Sequence, residues 1–134
     1  MSKKFALGLL LILASLFSSS LWSKNPLYAT YYANRFHNKK TASGELYLKD
    51  AYTCAHKTLP FGTYLLVKNT ENGKEVIVKV NDRMARRNKA KLDLSYAAAK
   101  ELDMIRHGYK RVEISILDET MLALKRNELL VSNQ

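Results

Sequence analysis

The 134-residue chain has one cysteine, Cys54, so no internal disulfide can form and stability in an oxidising compartment must come from a packed core. No neighbour in sequence lowers the Cys54 thiol pKa, and the residue reads as a small buried hydrophobe rather than a nucleophile. Compact Cys or His ligand sets are missing as well, so neither a metal site nor a metal cofactor is expected. The apolar-rich run from 5 to 17 is thirteen residues long, short of the roughly 20 needed to cross a bilayer. Internal repeats and low-complexity tracts are absent. Acidic residues are scarce, 12 against 22 basic ones, for a formal charge of +10.

What is present at the start has the pattern of a secretory signal peptide: Lys3 and Lys4, the apolar run, then Ser18, Ser19 and Ser20. Residues 1–23 are read as this leader, with cleavage after Ser20 or Ser23 both leaving a small residue at the cut; an uncleaved anchor is the alternative. Export to the periplasm, envelope or medium follows. No cysteine stands just after the leader, so lipidation of a mature N-terminus is chemically excluded. The remaining 111 residues suffice for one domain and not two, expected as a monomer. They hold 20 basic and 12 acidic residues, a net +8 that favours anionic partners. Arg83, Arg86, Arg87, Lys89 and Lys91 crowd one segment, which could meet nucleic acid, anionic lipid or the carboxylates of wall peptides, or simply be solvated. Export argues against nucleic acid.

Periodicity favours strands. Residues 63–69 and 75–80 are rich in β-branched and aliphatic side chains, and Asn72-Gly73 between them supplies the positive φ angles of a tight hairpin. Val76, Val78 and Val80 fall on one face, and residues 110–117 repeat the pattern with Val112, Ile114 and Ile116, closing the sheet. Ser95 is placed to cap a short helix over 96–102, and Gly108 marks the turn back. His107 near that helix's end reads as structural. Residues 118–134 lack clean helical or strand spacing and are assigned as a tail.

Four polar motifs lie at loop-like positions: Thr41-Ala42-Ser43-Gly44-Glu45, Ala55-His56-Lys57-Thr58-Leu59-Pro60-Phe61-Gly62-Thr63, Asn81-Asp82-Arg83 and Leu92-Asp93-Leu94-Ser95. In this order and spacing they resemble the rare lipoprotein A (RlpA) family, over roughly residues 29–117. The resemblance implies a mainly β fold, a six-stranded double-psi β-barrel of the kind shared with barwin and expansins, with a short helix. The barrel domain is set at residues 27–117.

The family's associated activity is lytic transglycosylation of peptidoglycan glycan strands, in which the muramic acid's own primary hydroxyl attacks in place of water and leaves an anhydromuramic end. One carboxyl can serve as acid and then as base, and no cofactor is needed. The resemblance points to Asp82 as that group, positioned by the strand before it, with Asp93 as the rival acid or else a helix cap. Glu45 and His56 complete the expected site; the bland alternatives are a surface carboxylate and a loop-stabilising histidine. Tyr31 and Tyr32 match an aromatic pair that can stack on sugar, although strand alternation sends one of them to the core. His37 lies in a family-like Phe-His segment. Arg83 and Arg86 are expected to bind substrate.

Relatives usually continue Asn-Asp-Arg with Gly-Pro-Phe, whereas this chain has Met84-Ala85-Arg86. Losing the freedom of glycine and the fixed φ of proline reshapes the loop beside Asp82. That departure sustains a second reading, a noncatalytic wall-loosening or glycan-binding module in the manner of expansins. A third is an exported cationic protein that uses the barrel as a scaffold for envelope partners.

Overall fold

The valine stripe behaves as its spacing requires: Val78 and Val80 are fully buried and Val76 nearly so, while Glu75, Ile77 and Lys79 between them are partly exposed. The computed structural model describes residues 25–134, and the leader read over residues 1–23 lies outside them. Six strands are formed, β1 (Leu27–Tyr31), β2 (Thr53–His56), β3 (Tyr64–Asn69), β4 (Glu75–Arg83), β5 (Leu92–Leu94) and β6 (Tyr109–Leu117). They close a barrel in the order β1-β5-β2-β4-β3-β6. The β1–β5 and β2–β4 pairs are parallel and the other four are antiparallel.

The core is filled from every strand, by Ala29, Cys54, Leu65, Val67, Val78, Val80, Leu92, Leu94 and Val112 among others. Each such Val or Leu contributes about 1.5–3 kcal/mol relative to exposure. Cys54 is 1% exposed, and burial followed by the charge of Asp93 pushes its thiol far up, which fits the structural reading of this residue.

The β3–β4 hairpin forms, with one difference at its turn. Only Gly73 adopts a positive φ, +74°, and Asn72 does not. Asn72 instead uses its side chain, accepting from Lys74 N at 2.9 Å and donating to Leu102 O at 3.1 Å, so a longer loop replaces the two-residue turn. Beneath it Asn69 is 1% exposed and satisfied on both sides, donating to Leu102 O at 2.9 Å and accepting from Glu71 N at 2.9 Å.

Ser95 caps helix α1 (Tyr96–Glu101), its hydroxyl accepting from Ala98 N. The helix ends six residues before His107, which therefore gains nothing from the helix dipole; its backbone N–H bonds to Met104 O in the turn completed by Gly108 at φ +75°. Strand β6 closes the barrel against β1 and β3. Ile116 pairs with the core residue Leu65 but is 56% exposed at the barrel's end, while Ser115 on the opposite face is buried.

The assigned tail is a helix, α2 (Glu119–Ser132), capped by Asp118, which accepts from Met121 N at 2.8 Å. Arg126 lies 5.2 Å over the Tyr64 ring and Lys125 reaches Glu75 at 3.7 Å, so α2 rests on the outside of the β3–β4 sheet. None of its residues is buried, which explains why no apolar periodicity marks it in the sequence.

Candidate active site

Strand β2 sits between β4 and β5, and its Ala55 is in register with Asp82 on one side and Asp93 on the other. On β1, Thr30 is in turn opposite Asp93. A row Thr30–Asp93–Ala55–Asp82 thus crosses four adjacent strands, with the two aspartates two interstrand spacings apart, about 10 Å between Cα atoms.

The row exists because of an irregularity. Cys54 pairs with Val80, yet the next residue, Ala55, pairs with Asp82, so Asn81 is an extra residue in β4. Without this bulge Ala55 would face Asn81, and Asp82 would point to the barrel's other face. Asp82 and Asp93 therefore share the side of the sheet that Ala55 faces; Ala55 is 2% exposed and both aspartates beside it are half-buried.

Their environments differ. Asp82 accepts from Tyr32 Oη at 2.5 Å, from Ala42 N at 2.8 Å and from its neighbour Arg83 N at 2.8 Å. Both of its oxygens are engaged as acceptors. Asp93 receives one hydrogen bond, from Thr30 Oγ1 at 3.0 Å. Burial pushes Asp93 up to about 6, the Thr30 bond opposes this, and the negative Asp82 nearby adds to it.

Tyr32 is locked by its surroundings. Its ring stacks on Tyr47 at 4.3 Å and meets Phe36 edge-on at 6.0 Å. Burial, then the bond to Asp82, raises its hydroxyl far above the usual range, so it remains a proton-bearing donor. One ring face is covered by Tyr47, which makes Tyr32 a positioning group for Asp82 and leaves less of it for stacking on sugar. Tyr31 goes to the core side, donating to Ile105 O at 2.8 Å and meeting Tyr96 edge-on. The adjacent tyrosines therefore divide as strand alternation requires.

The remaining expected residues fall around this row. Glu45 is exposed and bound to Lys79 Nζ at 2.9 Å, while the same Thr41–Glu45 tip delivers Ala42 N to Asp82. His56 accepts from Thr58 N and Leu59 N on Nδ1, at 3.1 and 3.0 Å, which is the loop-stabilising role and leaves Nε2 as the protonated nitrogen. Burial, Arg83 and Lys57 lower its pKa, so it is neutral at pH 7. His37 accepts from Lys49 N at 3.1 Å and acts as a loop anchor. Arg83 is exposed and its guanidinium lies 4.0 Å over Phe61; Arg86 is exposed, with its carbonyl accepting from Lys57 Nζ.

Sequence reasoning missed Thr30, Tyr47 and Lys57. Tyr47 is 2% exposed and accepts from Tyr96 N at 3.1 Å, joining the loop under Tyr32 to α1. Lys57 donates to the carbonyls of Arg86 and Asn88, tying down the loop that departs from the family. Its place inside the second polar motif was the available signal.

Two concavities, of about 600 and 700 Å³, lie beneath α2 and include Tyr52, Glu75, Glu101 and Leu129. They share no residue with the carboxylate row. The row is the better candidate, because it lies on the motif residues and holds a carboxyl group pushed upward by burial, whereas Glu75 beneath α2 is paired with Lys125. Among the described residues no group of three or more His, Cys, Asp or Glu could hold a metal ion.

Comparison with known proteins agrees with this architecture. Residues 24–114 match the family model described as "Lytic transglycolase". The chain is 50% identical over 91 residues to a "Probable endolytic peptidoglycan transglycosylase RlpA" of Treponema pallidum, covering 68% of this chain and 29% of that protein. A protein of the same name from Aquifex aeolicus is 52% identical over 90 residues, 67% of this chain and 40% of the relative. The chain thus spans well under half the length of either relative. An expansin variant of Clavibacter michiganensis, solved in complex with cellohexaose, superposes with a TM-score of 0.57 at 20% identity, covering 70% of this chain and 50% of that one; at that identity it speaks for the fold alone. With the matching model running from before β1 into β6 and the four motifs in place, this chain belongs to the RlpA family of double-psi β-barrel proteins.

Proposed function

We propose that the domain is a peptidoglycan lytic transglycosylase that acts in the cell envelope after export by its leader. The observation that carries this reading is the pair of unlike carboxyl groups flanking Ala55. Asp93, pushed up to about 6, can hold a proton near neutral pH, and Asp82 presents an acceptor fixed by three donors. The names of the relatives support the same activity.

Two carboxyl groups whose surroundings divide proton-holding from charge-holding are what cleavage of a glycosidic bond requires. Asp93 gives its proton to the glycosidic oxygen as the bond from the muramic acid C1 breaks. The carboxylate of Asp82 faces the positive charge that develops at C1, and the sugar's own C6 hydroxyl then attacks that carbon. Asp93 takes the hydroxyl proton, which closes the anhydro ring and restores the acid. This allotment reverses the roles expected from sequence, where Asp82 was the acid. For Asp82 to donate a proton from Oδ2 the Tyr32 hydroxyl would have to give up that acceptor, while Ala42 N and Arg83 N stay bound to Oδ1.

The test is incubation with purified wall and analysis of the products by mass spectrometry. Anhydromuramic ends are expected, and Asp93→Asn should reduce them by about 10²–10⁴-fold. No anhydro ends from the wild type would sink the reading, and undiminished turnover in Asp93→Asn would return the acid role to Asp82. One observation favours the noncatalytic alternative: the loop after Asp82 carries Met84-Ala85-Arg86 and is clamped by Lys57. That reading expects binding without products.

A further inference from the structure

Of the aromatic pair expected to stack on sugar, Tyr31 turns to the core side and Tyr32 lies against Tyr47. The carboxylate row leads to a different pair. On the far edge of β1, Thr30 is in register with Tyr109 of β6, so the line Asp82–Ala55–Asp93–Thr30 continues to Tyr109 across a fifth strand. Tyr28, two residues before Thr30, stands on the same face and is paired with Arg111. Ala29 and Val112 between them are fully buried in the core, which sends Tyr28, Thr30, Tyr109 and Arg111 outward.

Both rings are open to solvent, Tyr28 being 47% and Tyr109 59% exposed. They touch edge-on, with centroids 5.9 Å apart and planes at 62°, so together they make a patch rather than two scattered apolar residues. The Arg111 guanidinium lies 5.9 Å from the Tyr28 ring centroid and braces that ring. A cross-strand aromatic pair stabilises a sheet wherever it stands. What sets this one apart is its place, two interstrand spacings beyond Asp93, about 10 Å, and about 19 Å along the sheet from Asp82. A polymer laid over the carboxylates in the direction of the row meets these rings next.

We propose that Tyr28 and Tyr109 form a sugar-stacking subsite at the end of the carboxylate row, where they hold the part of a glycan strand beyond the leaving oxygen. The proposal rests on the glycan-cleavage reading, which sets Asp82 toward the muramic acid C1 and Asp93 at the glycosidic oxygen. The line from Asp82 through Asp93 therefore runs from the sugar that keeps C1 to the sugars that leave, and Tyr109 lies further along it. Pyranose rings present flat C–H faces, and an exposed aromatic face receives them while shedding little conformational entropy. Contiguity decides the occupant. An extended polysaccharide reaches from the row to the rings, whereas a second copy of the chain would cover the rings without using the row.

The experiment titrates peptide-free glycan strands, released from purified wall by an amidase, into the chain carrying Asp93→Asn so that bound strands stay uncut, with binding followed by calorimetry. Adding Tyr28→Ala/Tyr109→Ala to that background should weaken binding about tenfold. Tyr28→Phe/Tyr109→Phe keeps both ring faces and should stay within about twofold of the parent. Circular dichroism and urea unfolding confirm the fold of each, since a purely sheet-stabilising pair would change stability and leave glycan affinity alone. Unchanged affinity in the alanine variant, an equal loss in the phenylalanine variant, or no binding by the parent would overturn the proposal. So would a concentration-dependent dimer in sedimentation that the alanine variant abolishes while binding glycan normally, which would reassign the pair to a contact between copies. Absence of anhydro ends from the wild-type chain would remove the cleavage reading and leave the binding comparison standing, so the two failures are distinguishable.

Discussion

Replacing Asp93 by asparagine should stabilise the protein while stopping its chemistry. Burial raises Asp93 from the usual 3.8 to about 6, so between these values the folded protein keeps a proton that the unfolded chain has released. Raising the pH through that window therefore lowers wild-type stability, and the penalty is complete above the folded value. A displacement of about two units at 1.36 kcal/mol each amounts to about 3 kcal/mol. The asparagine side chain carries no charge at any pH, and its carbonyl oxygen can still accept from Thr30 Oγ1. The variant should match the wild type near pH 3.5 and gain progressively to about 3 kcal/mol by pH 7.5. For a domain of this size that is a rise of roughly 10–20 °C in Tm. Thermal melts followed by circular dichroism at pH 3.5, 5, 6 and 7.5 provide the measurement, and subtracting wild type from variant cancels the other titrating groups. A stability difference that does not grow with pH, or an Asp93→Asn protein less stable than wild type at pH 7.5, would refute the argument that burial burdens this carboxyl.

Three further outcomes are expected. Tyr32→Phe keeps the stack on Tyr47 but removes one of three donors to Asp82, costing about 1.5–3 kcal/mol in unfolding free energy and about tenfold in turnover, read by urea unfolding and product yield. Asn69→Ala strips two hydrogen bonds from a buried position, leaving Glu71 N without its acceptor and Leu102 O with Asn72 alone, a loss of about 1–3 kcal/mol measurable by the same unfolding curves. Lys57→Met releases the carbonyls of Arg86 and Asn88, and faster amide exchange confined to residues 84–91 should follow, with exchange in β3 unchanged.

Local rules carried much of the fold. Alternating valines in β4 state which face is buried, because strand side chains alternate whatever the barrel does with them, whereas in β6 the stripe holds at Val112 and fails at Ile116, with Ser115 and Leu117 buried instead. Ser95 announced α1, since an unpaired N–H at a helix start needs a side-chain oxygen within reach. Helix α2 escaped notice for the complementary reason. Leu124, Leu130 and Val131 remain exposed, so nothing forced its apolar residues onto one stripe, and only the Asp118 cap and Glu119 in the first turn marked its beginning.

The family and the residues worth testing were legible in the order of four motifs, because short polar loops and their spacing are properties of the chain itself. How those residues divide the work was not. The meeting of Asp82 with Asp93 depends on two strands pairing with opposite edges of β2 and on one extra residue, Asn81, in β4. Burial offset by a single donor, Thr30, sets Asp93 apart from Asp82, two of whose three donors come from segments folded in from Tyr32 and Ala42, forty or more residues away. Residue identity fixed which groups could titrate, and only the packing around each one decided which of them keeps its proton.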